Sequence, residues 1–322
     1  MKEDSKKSIR DGIGEALVEL GEKNKDIVVL TADVCESVRF HWFKEKFPER
    51  FIEVGIAEQN LVGVAAGLAL SGKIPVMGAY AVFSPGRNWE QIRTMIAYNN
   101  LPVKIIGSHT GLVTGEDGFS HQALEDIALM NVLPNFSVIS PADYFQAKKA
   151  IREAMEIKGP VYLRSVRPKT SLITKEDSPF EFGKVEVLFS NLSKEETKPK
   201  IALFGTGHLL AAAMEASSYF EKEGNLEIIV INIHTIKPID VKGIVEIAKK
   251  VKGAVVVEEH QKIGGLGAIV SQVLAENHPL PLEFVAVEDK FGQSGKPEEL
   301  LKAYGLDKEN IINKIKTLAK RL

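Results

Sequence analysis

A single cysteine, Cys35, in 322 residues excludes an internal disulfide and points to a reducing compartment. No apolar run approaches the length of a membrane span. The first residues, MKEDSKKSIRDG, lack the apolar core of a secretory signal. The expected location is therefore cytoplasmic, with no membrane partner. Charge of one sign is missing too. The 41 Lys and Arg stand against 43 Asp and Glu, a net charge of -2, so there is no basic excess to suggest nucleic acid. The glycine-rich turns Gly205-Thr206-Gly207 and Gly264-Gly265-Leu266-Gly267 do not complete GxGxxG with a downstream acid on a strand end. They read as tight strand-to-helix turns that need glycine.

What is present is an alternation of apolar strand runs and helical periodicity. Strand runs fall at 27–30, 51–54, 74–80, 103–106, 136–139 and 161–165, with helical patterns at 8–24, 61–70, 85–99, 123–130 and 142–157. A charged, proline-containing stretch, about 172–200, reads as a linker or covering hairpin. A second unit follows, with strands at 201–204, 227–233, 254–257 and 283–287 and helices at 208–223, 241–252 and 266–276. The halves are not sequence repeats of one another. Alternation of this kind predicts an α/β chain of two doubly wound, mostly parallel-sheet domains, placed at 1–172 and 200–322 with the linker at 173–199.

The chemistry concentrates in 107–122, GSHTGLVTGEDGFSHQ. A strand leads in and a helical pattern leads out, so this loop lies at a strand's carboxyl end, where α/β sheets bind ligands. His109, Asp117 and His121 suit proton transfer and hydroxyl recognition. Read blandly, the stretch is a solvated loop. Glu58 heads an apolar helix, where an ionised carboxylate is costly unless paired. It is either an acid favoured by the helix dipole or a carboxyl group set against a buried heterocycle. Tyr80 and Phe83 offer either such a ring a flat wall or the core two more aromatics.

The runs FIEVGIAEQNLVGVAAGLA, AYAVFSPGRNWEQIR and GSHTGLVTGEDGFSHQALEDIALM resemble the pyrimidine-binding domain of the transketolase family. NIHTIKPID, VVVEEHQKIGGLGAIVS and FGQSGKPEELLKAYGL resemble its C-terminal domain. The resemblance spans the whole chain in order. It implies transfer of a two-carbon ketol unit between sugar phosphates, with thiamine diphosphate and Mg²⁺. The GDG motif that holds the diphosphate and metal in that family is missing here. The resemblance therefore implies the C-terminal subunit of a split transketolase, with no metal ligands of its own. An N-terminal subunit would hold Mg²⁺ and complete a heterotetramer, with self-association through both domains.

Roles then carry over by resemblance. Glu58 is implied to hydrogen-bond the aminopyrimidine, with Phe83 and Tyr80 stacked on that ring and Asp33 near the cofactor. His121 and His109 are implied to act on substrate hydroxyls and near its phosphate, and Asp117 to read a hydroxyl. Arg10, Ser37 and Arg167 are implied to surround the phosphate, where guanidinium forks and a hydroxyl suit a dianion. The beta subunits of 2-oxo acid dehydrogenases and deoxyxylulose-phosphate synthase share the IAEQ-type glutamate, but the GEDGFSHQ loop favours transketolase. A non-catalytic relative of the fold is the reading from another class.

Overall fold

A computed structural model describes residues 6–193 and 198–322. The start of the first domain at 1–5 and linker residues 194–197 lie outside the described residues. The first unit is a seven-stranded sheet. From one edge its strands are Thr235–Lys237, Ser137–Ile139, Val161–Arg164, Lys104–Ser108, Ile74–Tyr80, Ile27–Thr31 and Phe51–Glu53. All pair in parallel except Thr235–Lys237, which runs antiparallel to its neighbour. Ile27–Thr31 (IVVLT) is buried at every position, as expected for a parallel strand covered on both faces. Helices Ile9–Lys23 and Tyr144–Glu156 cover one face and Glu58–Leu70 the other.

From Ile27–Thr31 the chain runs to one edge of the sheet, at Phe51–Glu53. It then returns to the far side of its starting strand, at Ile74–Tyr80. Strand order thus reverses between these two strands, and ligand crevices of doubly wound sheets open at such a reversal.

The second unit is a five-stranded sheet in the order Leu282–Val287, Gly253–Gln261, Lys200–Gly205, Glu227–Asn232 and Glu186–Ser190. Helices Leu210–Glu223 and Lys308–Ala319 pack on one face, and Val241–Ala248 with Leu266–Asn277 on the other. The architecture is the expected one: two mostly parallel α/β units.

The differences lie at edges and joins. Glu186–Ser190, read above as connector, is an edge strand antiparallel to Glu227–Asn232. Thr235–Lys237 follows the second unit's strand yet joins the first sheet, so the chain stitches the two together. The helix expected over 85–99 begins late, at Trp89, and widens into a π-helical stretch at Ile92–Ala97. Helices Pro297–Ala303 and Lys308–Ala319 complete the chain. Among the described residues no helix is long and apolar enough to cross a membrane.

Candidate active site

Glu58 is the first residue of its helix and only 4% exposed. Leu61, Val62, Ala65, Ala66 and Ala69 bury the inner stripe of that helix, which fixes Glu58 against the sheet. Its Oε2 accepts a hydrogen bond from Arg87 Nη1 at 2.8 Å, and its carbonyl accepts from Asn88 Nδ2 at 3.0 Å. Neither partner was singled out in the sequence. Both lie just after Phe83 in the run SPGRN, whose glycine marks a turn. A Cβ at Gly86 would stand 2.0 Å from the carbonyl oxygen of Val82, so the close turn requires glycine.

Beside this pair the strand end at Tyr80 gathers an aromatic cluster. Tyr80 and His109 stack at 3.8 Å between ring centroids, and Tyr80 and Phe83 lie nearly parallel at 6.3 Å. His121 meets Tyr80 and Phe83 edge-on at 5.9 and 5.4 Å. The Tyr80 hydroxyl donates to Ser37 Oγ at 3.1 Å. The guanidinium of Arg87 lies 4.7 Å from the Phe83 ring centre. Glu58, Tyr80, Phe83, His109, His121 and Ser37 are therefore one connected site.

Each histidine follows a serine whose Oγ lies 2.9 Å from its Nδ1: Ser108 for His109 and Ser120 for His121. Among the described residues neither Nε2 has a partner, so Nε2 is the atom left to meet a substrate. His109 is buried and takes a left-handed backbone, φ 56°. The Thr114 hydroxyl holds its carbonyl at 2.7 Å.

Arg167 Nη1 donates to the Thr114 carbonyl at 2.7 Å and to Glu116 at 3.1 Å, and lies 4.0 Å from Asp117. It stays partly exposed beside the loop. Arg10 lies beside the other two residues expected around the phosphate. It is buried, and its guanidinium donates to the carbonyls of Ser37, at 2.7 Å, and Arg167. These two bonds hold the backbone of the other two residues, and Nε of Arg10 is buried with no hydrogen-bond partner among the described residues. Asp33 is exposed at φ 59°, and its N–H is tied to Glu53 at 2.7 Å. It sits at the crevice edge, outside the aromatic cluster.

The second unit anchors the histidine loop through residues that went unnoticed in the sequence. Glu259, buried at its strand end, accepts the Val113 N–H at 2.9 Å and pairs with His208 Nε2 at 2.7 Å. Gly111 has φ 79°, and a Cβ there would stand 2.1 Å from that carboxylate. Gln122 closes the loop by donating to the carbonyls of Leu112, Gly115 and Gln293 at 3.1, 3.3 and 3.0 Å. The acidic pair in VVVEEHQ was the available signal, since carboxylates are anomalous in a buried strand.

The neighbouring Glu258 accounts for one glycine-rich turn. Its carboxylate accepts the N–H groups of Leu266 and Gly267 at 2.6 and 2.8 Å. The anion position at that helix start is thus filled from within, which supports the tight-turn reading of Gly264–Gly267. No group of three or more His, Cys, Asp or Glu suited to a metal occurs among the described residues.

Burial lowers His109 to about 3, helped by Arg10 and Arg167, and lowers His234 to about 4. Unfolded, each ring takes up a proton below about pH 6.5; folded, each stays neutral until far lower pH. Their stabilisation is therefore complete above pH 6.5 and falls as pH drops towards 4. Glu258, raised by burial to about 7, acts with the opposite sign between its unfolded and folded values. His234 stacks on Phe180 at 4.3 Å, away from the aromatic cluster. His234→Asn is expected to flatten the acid-side loss of stability by about 1–2 kcal/mol between pH 7 and 5, because the Glu258 effect is common to both proteins. Denaturant titrations at the two pH values check it: an unchanged slope would show that His234 is not held neutral.

Comparison with known proteins identifies the family. The family model for the pyrimidine binding domain of transketolase matches residues 5–171, and that for the transketolase C-terminal domain matches 191–311. A Methanocaldococcus jannaschii protein named as a transketolase C-terminal section is 44% identical, over 96% of this chain and 95% of its own length. The 6-deoxy-6-sulfo-D-fructose transketolase subunit of a Clostridium species is 34% identical, over 94% of this chain and 92% of its own. Human transketolase is 35% identical over 96% of this chain but only 48% of itself. A solved split-gene transketolase, described as an inactive β4 tetramer, superposes with a TM-score of 0.86 at 41% identity, covering 97% of this chain and 98% of that one.

Proposed function

This chain belongs to the transketolase family, and from that premise we propose that it is the C-terminal subunit of a two-chain, thiamine-diphosphate-dependent transketolase. In this reading it acts in the cytoplasm and moves a two-carbon ketol unit between sugar phosphates of the pentose phosphate pathway. It works once paired with an N-terminal subunit that holds the diphosphate and Mg²⁺. The observation that carries the reading is Glu58, a buried carboxylate at a helix start beside the aromatic wall of Tyr80 and Phe83. A flat group bearing N–H donors already fits there, because the Arg87 guanidinium touches both Glu58 and Phe83.

When bound, thiamine diphosphate supplies the carbanion chemistry. The remaining tasks fall to the protein's own residues in this reading. Glu58 would hold a proton at the ring nitrogen of that group, and Phe83 and Tyr80 would flank the ring. His109 and His121 exchange protons with substrate oxygens through Nε2, each oriented by its serine. Asp117 accepts from a substrate hydroxyl, and Asp33 lines the cofactor edge. Arg10, Ser37 and Arg167 hold the terminal anion, with Arg10 also bracing the backbone carbonyls of the other two. The sulfonate implied by the name of the Clostridium relative is, like a phosphate, an oxyanion that an arginine fork suits. The site is therefore read as one for anionic sugars.

Kinetics of Arg167→Ala test the anion assignment. Charge-assisted hydrogen bonds are worth roughly 1.5–3 kcal/mol each, about ten- to a hundredfold in affinity. KM for ribose 5-phosphate is expected to rise by that factor in the reconstituted enzyme. Turnover with glycolaldehyde, which lacks the phosphate, is expected to change little. Arg167→Lys should recover part of the loss, because the charge remains and the planar fork does not. Arg167 also holds the Thr114 carbonyl, so equal losses with both acceptors would assign it to the loop alone.

A further inference from the structure

We propose that Arg87 is an internal stand-in for the pyrimidine ring: its guanidinium occupies that ring's place between Glu58 and Phe83 and must swing out before the cofactor can seat. The proposal rests on the reading of Glu58 and Phe83 as the pyrimidine site. A guanidinium is planar, cationic and edged with N–H donors. A pyrimidine protonated at the ring nitrogen is also planar and cationic, and presents an N–H to the same carboxylate. Arg87 makes both contacts such a ring would make. It donates to Glu58 Oε2 at 2.8 Å and lies 4.7 Å from the Phe83 centroid, within the range of a cation–π contact.

The surroundings fit a movable side chain on a fixed backbone. The Arg87 N–H is bonded to the Phe83 carbonyl at 3.0 Å, and Gly86 is locked against Val82. The next residue, Asn88, is fully buried, with its amide on the Glu58 carbonyl and on Ser84 Oγ. The Arg87 side chain is 49% exposed, whereas its partner Glu58 is 5% exposed. An exit to water is open on the arginine's side and closed on the glutamate's. Arg10, by contrast, is buried with two carbonyl partners and cannot leave in this way.

While Arg87 is in place, Glu58 keeps a counter-ion and its orientation, and the aromatic wall keeps a flat neighbour. The apparent affinity for a pyrimidine is then reduced by the fraction of molecules in which the arginine is out. This makes Arg87 a residue that sets the threshold for loading.

Calorimetric titration of the full chain with thiamine, which carries the pyrimidine but no diphosphate, tests the idea. Arg87→Ala is expected to bind thiamine about tenfold more tightly than the unaltered chain. Arg87→Lys keeps the charge without the plane, should fall between, and covers the case in which the alanine variant folds poorly. Glu58→Gln should weaken binding in every background. In the ¹⁵N-labelled chain the Arg87 side-chain N–H resonance should be protected from exchange and lose that protection on adding thiamine. If Arg87→Ala binds thiamine equally or less well while Glu58→Gln still weakens binding, the stand-in role is overturned and the pyrimidine site survives. If no variant binds thiamine, or Glu58→Gln has no effect, the pyrimidine site itself is wrong and the proposal falls with it.

Discussion

Glu58→Gln is expected to lower turnover of the reconstituted enzyme by about a hundredfold or more, the scale on which a positioned acid–base group acts, with the fold intact. Glutamine keeps the size of the side chain and its carbonyl oxygen can still accept from Arg87, which donates to Glu58 at 2.8 Å. Arg87 is half exposed, so its charge stays solvated when the buried partner at 58 becomes neutral and little stability is lost. What glutamine cannot do is hold a carboxyl proton at a ring nitrogen. The alternative is that Glu58 is only a helix-start acid favoured by the dipole of Glu58–Leu70. That idea requires the reverse pattern, a lower melting temperature with near-normal specific activity. Measuring both quantities on the same preparation separates the two, and a variant with wild-type turnover would remove Glu58 from the chemistry.

Why Glu58 was legible while its partner was not is a matter of range. A carboxylate heading LVGVAAGLAL conflicts with its own neighbours, so one stretch of sequence exposes it. Arg87 lies 29 residues away, and nothing local says which carboxylate so long a side chain will reach. The Glu259–Val113 contact is harder still, spanning 146 residues and the two units. The same contrast runs through the fold. Strands buried on both faces, such as Ile27–Thr31 and Ile74–Tyr80, declare themselves as apolar runs. Glu186–Ser190 is an edge strand with no fully buried position, and its identity as a strand depends on Glu227–Asn232 beside it. Thr235–Lys237 joins a sheet built from a distant part of the chain, which no local periodicity can report. Helix Lys308–Ala319 did carry local signals: the Asp307 side chain caps Asn310 N at 3.0 Å, and Ile311, Ile312, Ile315 and Leu318 form its buried stripe. Arg10 braces the carbonyls of Ser37 and Arg167, 27 and 157 residues away, pairings that residue type alone cannot announce.

The purified chain alone is expected to show no ketol transfer, and mixing it with an N-terminal subunit bearing a GDG motif is expected to restore it. The chain carries the proposed pyrimidine wall and the histidine loop, but not that motif. Half the contacts a cofactor needs should give weak binding, because the ordering cost of association is met in full while the interactions are not. The molecule also leaves an apolar face open. Ile56 and Leu70 are each 75% exposed at the two ends of the Glu58 helix, and Tyr98 is 85% exposed nearby in sequence to Met95, itself 42% exposed. Between Ile56 and Leu70, Gly63 and Gly67 have nothing within 4 Å of where a Cβ would stand. Exposed apolar surface of this kind marks association sites, so the chain alone should self-associate without becoming active. The solved split-gene relative is described in those terms, as an inactive β4 tetramer. Titrating the N-terminal subunit into a fixed amount of this chain should raise activity to a plateau at equal molar ratio, with two copies of each in the assembled enzyme. The mass of the active species and the ratio at the plateau decide it. Robust turnover by this chain alone would overturn the two-subunit reading, since the site would then have to be completed from within a single sequence.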